Sequence, residues 1–187
     1  MNLQSPYKFI VSPIGRQYND TKKVGDVELQ ICNSIEEGID VNRLAKVISI
    51  PENYNGEIQA GDTVIIGHNV FRISYDHKGL VQESQWYVAN KQFAVEKDLI
   101  YAVVKNNELI PTEDNVFVEP IIESDFWRGD IEAENVGFAK YVNSQLKSAG
   151  VENGSKIAFK QFSKYIFEIH GKKLLMMKNR RIIAKLN

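Results

Sequence analysis

The sequence has few of the residues on which catalytic and metal-binding sites depend. It holds one cysteine, Cys32, and three histidines, His68, His77 and His170, among 187 residues. A single cysteine excludes an internal disulfide and a cysteine metal site. No two histidines have the H-x-x-x-H spacing of a helical metal site. We therefore expect the protein to hold no metal and no cofactor.

The common catalytic sequence signatures are missing as well. The chain contains no G-x-S-x-G motif, no P-loop and no G-x-G-x-x-G motif. Hydrolase, NTPase and dinucleotide-binding functions therefore lack their usual sequence signal. Aspartate and glutamate are plentiful but scattered, as is typical of a solvated surface. We predict no catalytic residues, and favour a binding or assembly protein over an enzyme.

Charge of one sign and long apolar runs are also absent. The net charge of -1 provides no general basic field, so we expect no nucleic-acid partner. No apolar run approaches the roughly 18–20 residues needed to span a bilayer, and no secretory signal is visible at the N-terminus. We expect a cytoplasmic protein that does not bind a membrane.

What the sequence does contain is a series of short apolar segments with mostly alternating polarity, separated by glycine, asparagine or proline. Such segments predict strands, and their spacing of roughly 8–12 residues predicts small β-barrels. Asn55-Gly56 and His170-Gly171 are hairpin signals, because these residue types adopt the positive φ of tight turns. Helix signals are confined to Asn33–Val41, which is either a helical turn or a polar loop.

The apolar segments recur in the same order in two halves of the chain. Such an internal repeat predicts two copies of one small domain, residues 1–107 and 108–187, joined by the polar linker 105–108. The copies differ mainly in the loop after the first strand, Ile14–Asn42 in the first copy and the shorter Ile121–Asn135 in the second. The matching segments are Phe9–Pro13 with Val116–Pro120, Leu44–Ile48 with Phe138–Val142, Gly61–Ile66 with Gly154–Phe159, and Asp98–Val103 with Arg181–Leu186.

The repeated unit resembles the GroES-type co-chaperonins. Pro111, Asp114, Val116 and Val118 fall in register with the P-L-x-D-R-V-x-V pattern that opens this family. Further segments are similar to the family's later elements in the same order. These are Gly137–Val142 for G-x-V-x-A-V, Gln59–Ile66 and Val151–Phe159 for V-G-D-x-V-x-F, Gly171–Met176 for G-x-x-Y-L-I, and Arg181–Ala184 for D-I-L-A; in the first copy Trp86–Val88 and Asp98–Ile100 stand for the last two.

This resemblance implies an all-β protein made of two tandem small irregular GroES-like β-barrels. It also implies a co-chaperonin: an oligomeric lid on a group I chaperonin that assists protein folding, with ATP used by the partner. In an isolated unit Lys8–Ser12 and Ile182–Leu186 would be exposed edge strands, and unpaired edges seek partners. We therefore expect self-association through edge strands into a ring.

In the resembled family, the loop after the first strand inserts a short apolar segment into the chaperonin. The candidate anchor in the first copy consists of Val27, Leu29 and Ile31, although its alternating pattern equally predicts a strand packed on the barrel. Gly38–Val41 is a weaker second candidate. In the second copy Phe126 and Trp127 either anchor a partner or cover the open end of the barrel.

The family's roof hairpin corresponds to Pro51–Glu57, with Glu52, Tyr54 and Glu57 as candidate residues. Tyr54 either faces an enclosed chamber or is simply a turn aromatic. The alternative function keeps the fold without chaperonin binding: a structural or assembly protein, for example one associated with a virus capsid.

Overall fold

The computed structural model describes residues 3–17, 21–24, 27–30, 41–106, 108–125, 129–160, 165–169 and 172–186. The chain divides into two compact units, Met1–Asn107 and Glu108–Asn187. In the described residues the regular secondary structure of both units is mainly antiparallel strand. The prediction of an all-β protein is confirmed.

The main sheet of the first unit has the strand order β10-β5-β4-β1-β9-β8, and β2–β3 and β6–β7 form separate hairpins. A 3-10 turn, Lys97–Leu99, precedes the last strand. The strands are β1 (Phe9–Pro13), β2 (Thr21–Val24), β3 (Val27–Gln30), β4 (Leu44–Ser49), β5 (Thr63–Ile66), β6 (Ser74–Tyr75), β7 (Val81–Gln82), β8 (Tyr87–Ala89), β9 (Gln92–Val95) and β10 (Ile100–Lys105).

The sheet of the second unit has the order β15-β16-β12-β13-β14-β17. A 3-10 turn, Asn179–Arg181, again precedes the last strand. The elements are β11 (Glu108–Pro111), β12 (Asn115–Asp125), β13 (Gly129–Tyr141), α1 (Ser144–Ser148), β14 (Lys156–Phe159), β15 (Tyr165–Ile169), β16 (Lys172–Lys178) and β17 (Ile182–Leu186).

The two sheets have the same strand order when β1, β4, β5, β8, β9 and β10 are matched with β12, β13, β14, β15, β16 and β17. Their irregularities also coincide. The register of β1 against β4 shifts between Ile10 and Val11, and that of β12 against β13 shifts between Phe117 and Val118. A β-bulge is a specific local feature, so its occurrence at matching positions argues that the two units share one folding pattern.

A shared turn fixes the alignment of the units. Gly61 and Gly154 both have positive φ, 93° and 90°, a conformation that glycine adopts without steric cost. The N–H of Gly61 donates to Val47 O at 2.8 Å, and that of Gly154 donates to Ala139 O at 2.7 Å. Val47 therefore matches Ala139, and the sequence match of Leu44–Ile48 with Phe138–Val142 is wrong by two residues. A shift of two residues keeps every side chain on its own face, so the sequence pattern could not reveal the error.

Two other predictions from the sequence also need correction. Trp86–Val88 belongs to the region of β8, whereas its assigned counterpart Gly171–Met176 leads into β16, which matches β9. Neighbouring strands of one hairpin carry similar apolar patterns, so sequence did not separate them. A second connecting segment also differs in length between the two units, since 20 residues separate β5 from β8 and 5 separate the matching strands β14 and β15. The loop after the first strand is therefore not the main difference by itself.

The edge strands differ in part from the prediction. β1 lies between β4 and β9, so the expectation that Lys8–Ser12 forms an edge strand is wrong. β17 does lie at the end of its sheet. Among the described residues no pairing joins the two end strands of either sheet, so the barrels remain a prediction while the all-β class is established.

Each unit has its own apolar core. The first core includes Phe9, Val11, Val64, Phe71 and Phe93. The second includes residues from β12, β14 and β16 together with Leu146 of α1; these are Val116, Val118, Ile157, Phe159, Leu175 and Met177. The alternation of buried and exposed residues along strands such as β4 and β14 is the pattern expected of a sheet with one covered face.

The helix lies where the sequence did not predict one. Asn143 accepts a hydrogen bond from Leu146 N and begins α1, and the Gly150 N–H bonds back to Lys147 O after its end. Asparagine is a favourable N-cap, so a local signal was present, but the five-residue helix is too short to show an apolar period. Of the predicted helical turn, residues 33–40 lie outside the described residues.

Candidate functional site

The segment after the first strand leaves the sheet as a hairpin in both units. In the first unit this hairpin is β2–β3, in which Thr21 pairs with Gln30 and Val24 with Val27. In the second unit β12 and β13 continue beyond the sheet and pair up to Asp125 and Gly129. The loops predicted from sequence are thus, where described, built from paired strands.

Some of the predicted anchor residues lie in the described part of the chain. Val27 and Leu29 lie in β3, so the strand that the alternating pattern predicted is present. Ile31, Phe126 and Trp127 lie outside the described residues. Val41, the last residue of the weaker candidate, is buried in the first core, and is therefore not available as an exposed anchor.

The base of the first hairpin is fixed by one asparagine that the sequence analysis did not identify. The Asn42 side-chain amide donates to Ile14 O at 2.7 Å and to Arg16 O at 2.8 Å. Its backbone N–H donates to Gln17 O at 2.8 Å, and its Oδ1 accepts from Leu44 N at 2.9 Å. The two ends of the segment 14–42 are thereby held together. A buried polar side chain with several partners of this kind has no distinct sequence signal.

The hairpin of the second unit, Ile121–Asn135, is here called the arm. Pro120 pairs with Gly137, but the next pair along the hairpin joins Ile122 to Glu132. One residue on β12 therefore lies opposite four on β13, and Asn135 within this bulge has a φ of 59°. Bulges bend the strand that contains them. The arm consequently begins at a defined bend rather than as a smooth extension of the sheet.

Gly137 lies at this bend because no larger residue fits there. A Cβ atom at this position would lie 2.5 Å from Val118 Cγ1 and 2.8 Å from the backbone oxygen of Glu119. Backbone atoms of a central strand cannot move away cheaply, since the interior is close-packed. The glycine that the resemblance placed at the start of a strand thus has a packing reason in this chain.

We expect Gly137→Ala to destabilise the second unit by about 1–3 kcal/mol, the usual cost of overpacking a well-packed site. Urea unfolding followed by circular dichroism measures the change. Gly67→Ala is the control, because the nearest atoms to its added Cβ would belong to side chains, with the Tyr101 hydroxyl at 3.1 Å and Leu99 Cδ2 at 3.6 Å, and no backbone atom would be as close. Equal costs for the two variants would contradict the close approach at Gly137.

The turn predicted as a roof hairpin packs against the first core. The Tyr54 ring meets the Phe9 ring edge-on, with centroids 4.8 Å apart, and Lys97 Nζ lies 5.8 Å from its centroid. Tyr54 is half-buried, whereas Glu52 and Glu57 are exposed. A Cβ on Gly56 would lie 2.2 Å from the Tyr54 hydroxyl. Gly56 therefore serves close packing here, not the positive φ that the sequence predicted.

These contacts give Tyr54 a structural role that does not need a chamber. The edge-to-face geometry is favourable for aromatic pairs, and it directs the ring toward the sheet. Lys105 Nζ donates to Glu57 O at 3.0 Å and lies 3.5 Å from Asp62 Oδ2, so the turn is also held at its other end. The geometry favours the interpretation of Tyr54 as a turn aromatic, and the roof function stays a prediction.

The histidines show no arrangement for metal binding or catalysis in the described part of the chain. Burial, and then the positive charges of Arg43 and Arg72, hold the pKa of His68 below its ordinary value. Its imidazole is therefore neutral at neutral pH. His77 is exposed, and His170 lies outside the described residues. Across those described ranges no three acidic, histidine or cysteine side chains form a group that could hold a metal ion.

Comparison with known proteins adds no identification to this geometry. No protein-family model matches the chain, and the search of curated proteins gives no match. In the described part of the chain no helix is long and apolar enough to cross a membrane.

Proposed function

We propose that the protein is a co-chaperonin-like lid: an oligomer of two-unit chains that binds a group I chaperonin in the cytoplasm and has no catalytic activity of its own. The proposal takes its family from the sequence resemblance to GroES-type co-chaperonins. The observation that carries it furthest is the pair of hairpins, each of which comes after the first strand of the main sheet of its unit along the chain. That is the position at which the resembled family contacts its chaperonin.

Two features of the fold support this proposal. Both sheets have the same strand order and share a register shift at the same place in their first strand pair, as expected of two copies of one domain. The bonds of Asn42 hold together the ends of the segment 14–42 that contains the first hairpin, so both connections of this segment to the unit start from one place.

The first hairpin is the better candidate for the chaperonin anchor. It contains Val27 and Leu29 on one strand, β3, and residues at alternate positions of a strand lie on the same face. Alternate apolar residues of this kind would suit an apolar groove on the partner. Modest affinity at each such anchor would be multiplied in an oligomer that binds several sites at once.

The test is co-migration with a group I chaperonin on a sizing column in the presence and absence of ATP. We expect ATP-dependent binding by the unchanged chain and at least about tenfold weaker binding after Val27→Ser with Leu29→Ser, because loss of anchoring residues costs more than 1 kcal/mol each. The matched variant, Phe126→Ser with Trp127→Ser, should retain binding. No binding where an authentic lid binds would overturn the proposal, and loss in the second variant alone would move the anchor to the arm.

The alternative function, a structural or assembly protein that does not bind a chaperonin, is favoured by one observation. The second unit carries an exposed end strand and a projecting hairpin, and both features suit assembly as well as a lid. Self-association without any chaperonin binding would support this alternative.

A further inference from the structure

The last strand of the second unit is exposed in a way that its counterpart is not. Among the described strands β17 pairs with β14 alone. Its Ile183 is 64% exposed, and Ala184 is also exposed, whereas the matching Ala102 of β10 is buried. An exposed end strand presents backbone hydrogen-bonding groups on its outer side. β17 therefore offers another chain both backbone groups and an apolar side chain.

Positive charge lies beside and within this strand. The segment 179–186 contains three basic residues and no acidic residue, a net charge of +3, whereas the lysines of β16 are separated from it by three strands of the sheet. Arg180 and Arg181, which immediately precede β17, are exposed. Pairing of β17 with the same strand of a second copy would bring two such segments together, which their like charges oppose. The electrostatics favour an acidic partner.

The arm has the complementary character. Residues 121–135 contain five acidic residues and one arginine, a net charge of -4. Ile122 is 55% exposed and Ile131 is 37% exposed. A hairpin with these features presents negative charge and apolar surface together.

The arm also projects beyond the strands that support its base. β16 pairs with Asn115–Val118 of β12, and β14 pairs with Val136–Phe138 of β13. The arm lies outside both of these paired regions. A two-stranded hairpin is only marginally stable by itself in water, so the addition of a third strand along its edge would stabilise it.

One ion pair within the chain already joins the arm to a basic residue of β16. Lys173 of β16 forms an ion pair with Glu132 of the arm. The exposed carboxylates of Glu123 and Glu134 lie on the same arm, in position to meet positive charge on another molecule.

We propose that the arm of one copy of this chain adds to the outer edge of β17 in a second copy, with its carboxylates facing Arg180, Arg181 and the neighbouring basic residues. Such strand addition combines backbone hydrogen bonds with side-chain specificity. The contact joins two different surfaces, so it is heterologous and generates a ring or an open chain of copies. This contact rests on the proposed function, because it specifies how the proposed oligomer forms. Its test contains no chaperonin, so the contact and the chaperonin binding can fail separately.

The test measures the molar mass of the full chain by sizing chromatography with light scattering, over a range of concentrations at low and high salt. We expect association at low salt that weakens as salt rises, because exposed charges are screened. The arm variant carries Glu123→Lys with Glu134→Lys, and the edge variant carries Arg180→Glu with Arg181→Glu. Each should raise the dissociation constant at least about tenfold, since like charges then face each other.

Mixing the two variants provides the decisive result. The reversed edge of one variant is complementary to the reversed arm of the other, and the unchanged surfaces also match, so the mixture should associate although neither variant does alone. Lys46→Glu with Lys147→Glu is the control, because both lysines are exposed and the net charge changes by the same amount as in the edge variant. A monomeric unchanged chain, or a mixture that stays dissociated, overturns the proposal. Sensitivity of the edge variant but not the arm variant would assign the contact to two β17 strands instead.

Discussion

Replacement of Phe71 by alanine is expected to destabilise the first unit by about 3–5 kcal/mol, the usual cost of truncating a buried phenylalanine. Phe71 is fully buried, and its ring meets that of Phe93 edge-on with centroids 4.8 Å apart. It lies in the 20-residue segment between β5 and β8, which is much shorter between the matching strands of the second unit. This segment thus supplies part of the first core.

Denaturant unfolding followed by the fluorescence of Trp86 measures this effect, in a chain in which Trp127→Phe leaves one tryptophan in the first unit. Leu80→Ala is the matched control. Leu80 belongs to the same segment but is 60% exposed, and changes at exposed positions usually stay within about 0.5 kcal/mol. Similar losses in the two variants would show that Phe71 is not part of the core.

Replacement of Asn143 by alanine is expected to destabilise the second unit by about 2–4 kcal/mol. Asn143 Oδ1 caps α1 by accepting from Leu146 N at 3.0 Å, and its amide donates to Asn115 O and to Asn179 Oδ1, each at 2.8 Å. Loss of a cap costs about 0.5–2 kcal/mol, and removal of a partner from a buried polar group costs about 1–3 kcal/mol more.

Hydrogen exchange read by mass spectrometry distinguishes this effect from simple fraying of the helix. We expect faster exchange in β12 and β13 as well as in α1, because Asn143 joins the helix to the start of β12. Asn153→Ala is the control, since Asn153 accepts a single bond, from Val142 N at 3.1 Å. An effect confined to α1 would contradict a role for Asn143 in holding the unit together.

The all-β class was predictable because it depends on a local property, the alternation of apolar and polar residues along short segments. β4 and β14 illustrate this, since buried residues alternate with more exposed ones along both strands. The matching glycines Gly61 and Gly154 were also visible in the sequence, and glycine adopts their positive φ without steric cost.

The register of the strands was not predictable from sequence. The match of Leu44–Ile48 with Phe138–Val142 places the correct faces inward but is two residues from the pairing that the backbone hydrogen bonds define. A period of two cannot distinguish such shifts. The roles of Asn42 and Asn143 were also not predictable, because their hydrogen-bond partners include residues distant in sequence.

By itself the sequence determined the strand-rich class, the correspondence of Gly61 with Gly154 and the opposite charges of the segments 121–135 and 172–185, since each depends on residue type and local order. The tertiary structure alone decided that β1 is central, that β17 lies at the end of its sheet and that the arm bends away from the strands at its base. Strand neighbours are set by contacts between distant residues, whose summed packing and hydrogen bonding no local pattern encodes. For that reason the structure, and not the sequence, shows that the side chains of Glu123, Glu134, Arg180 and Arg181 are exposed.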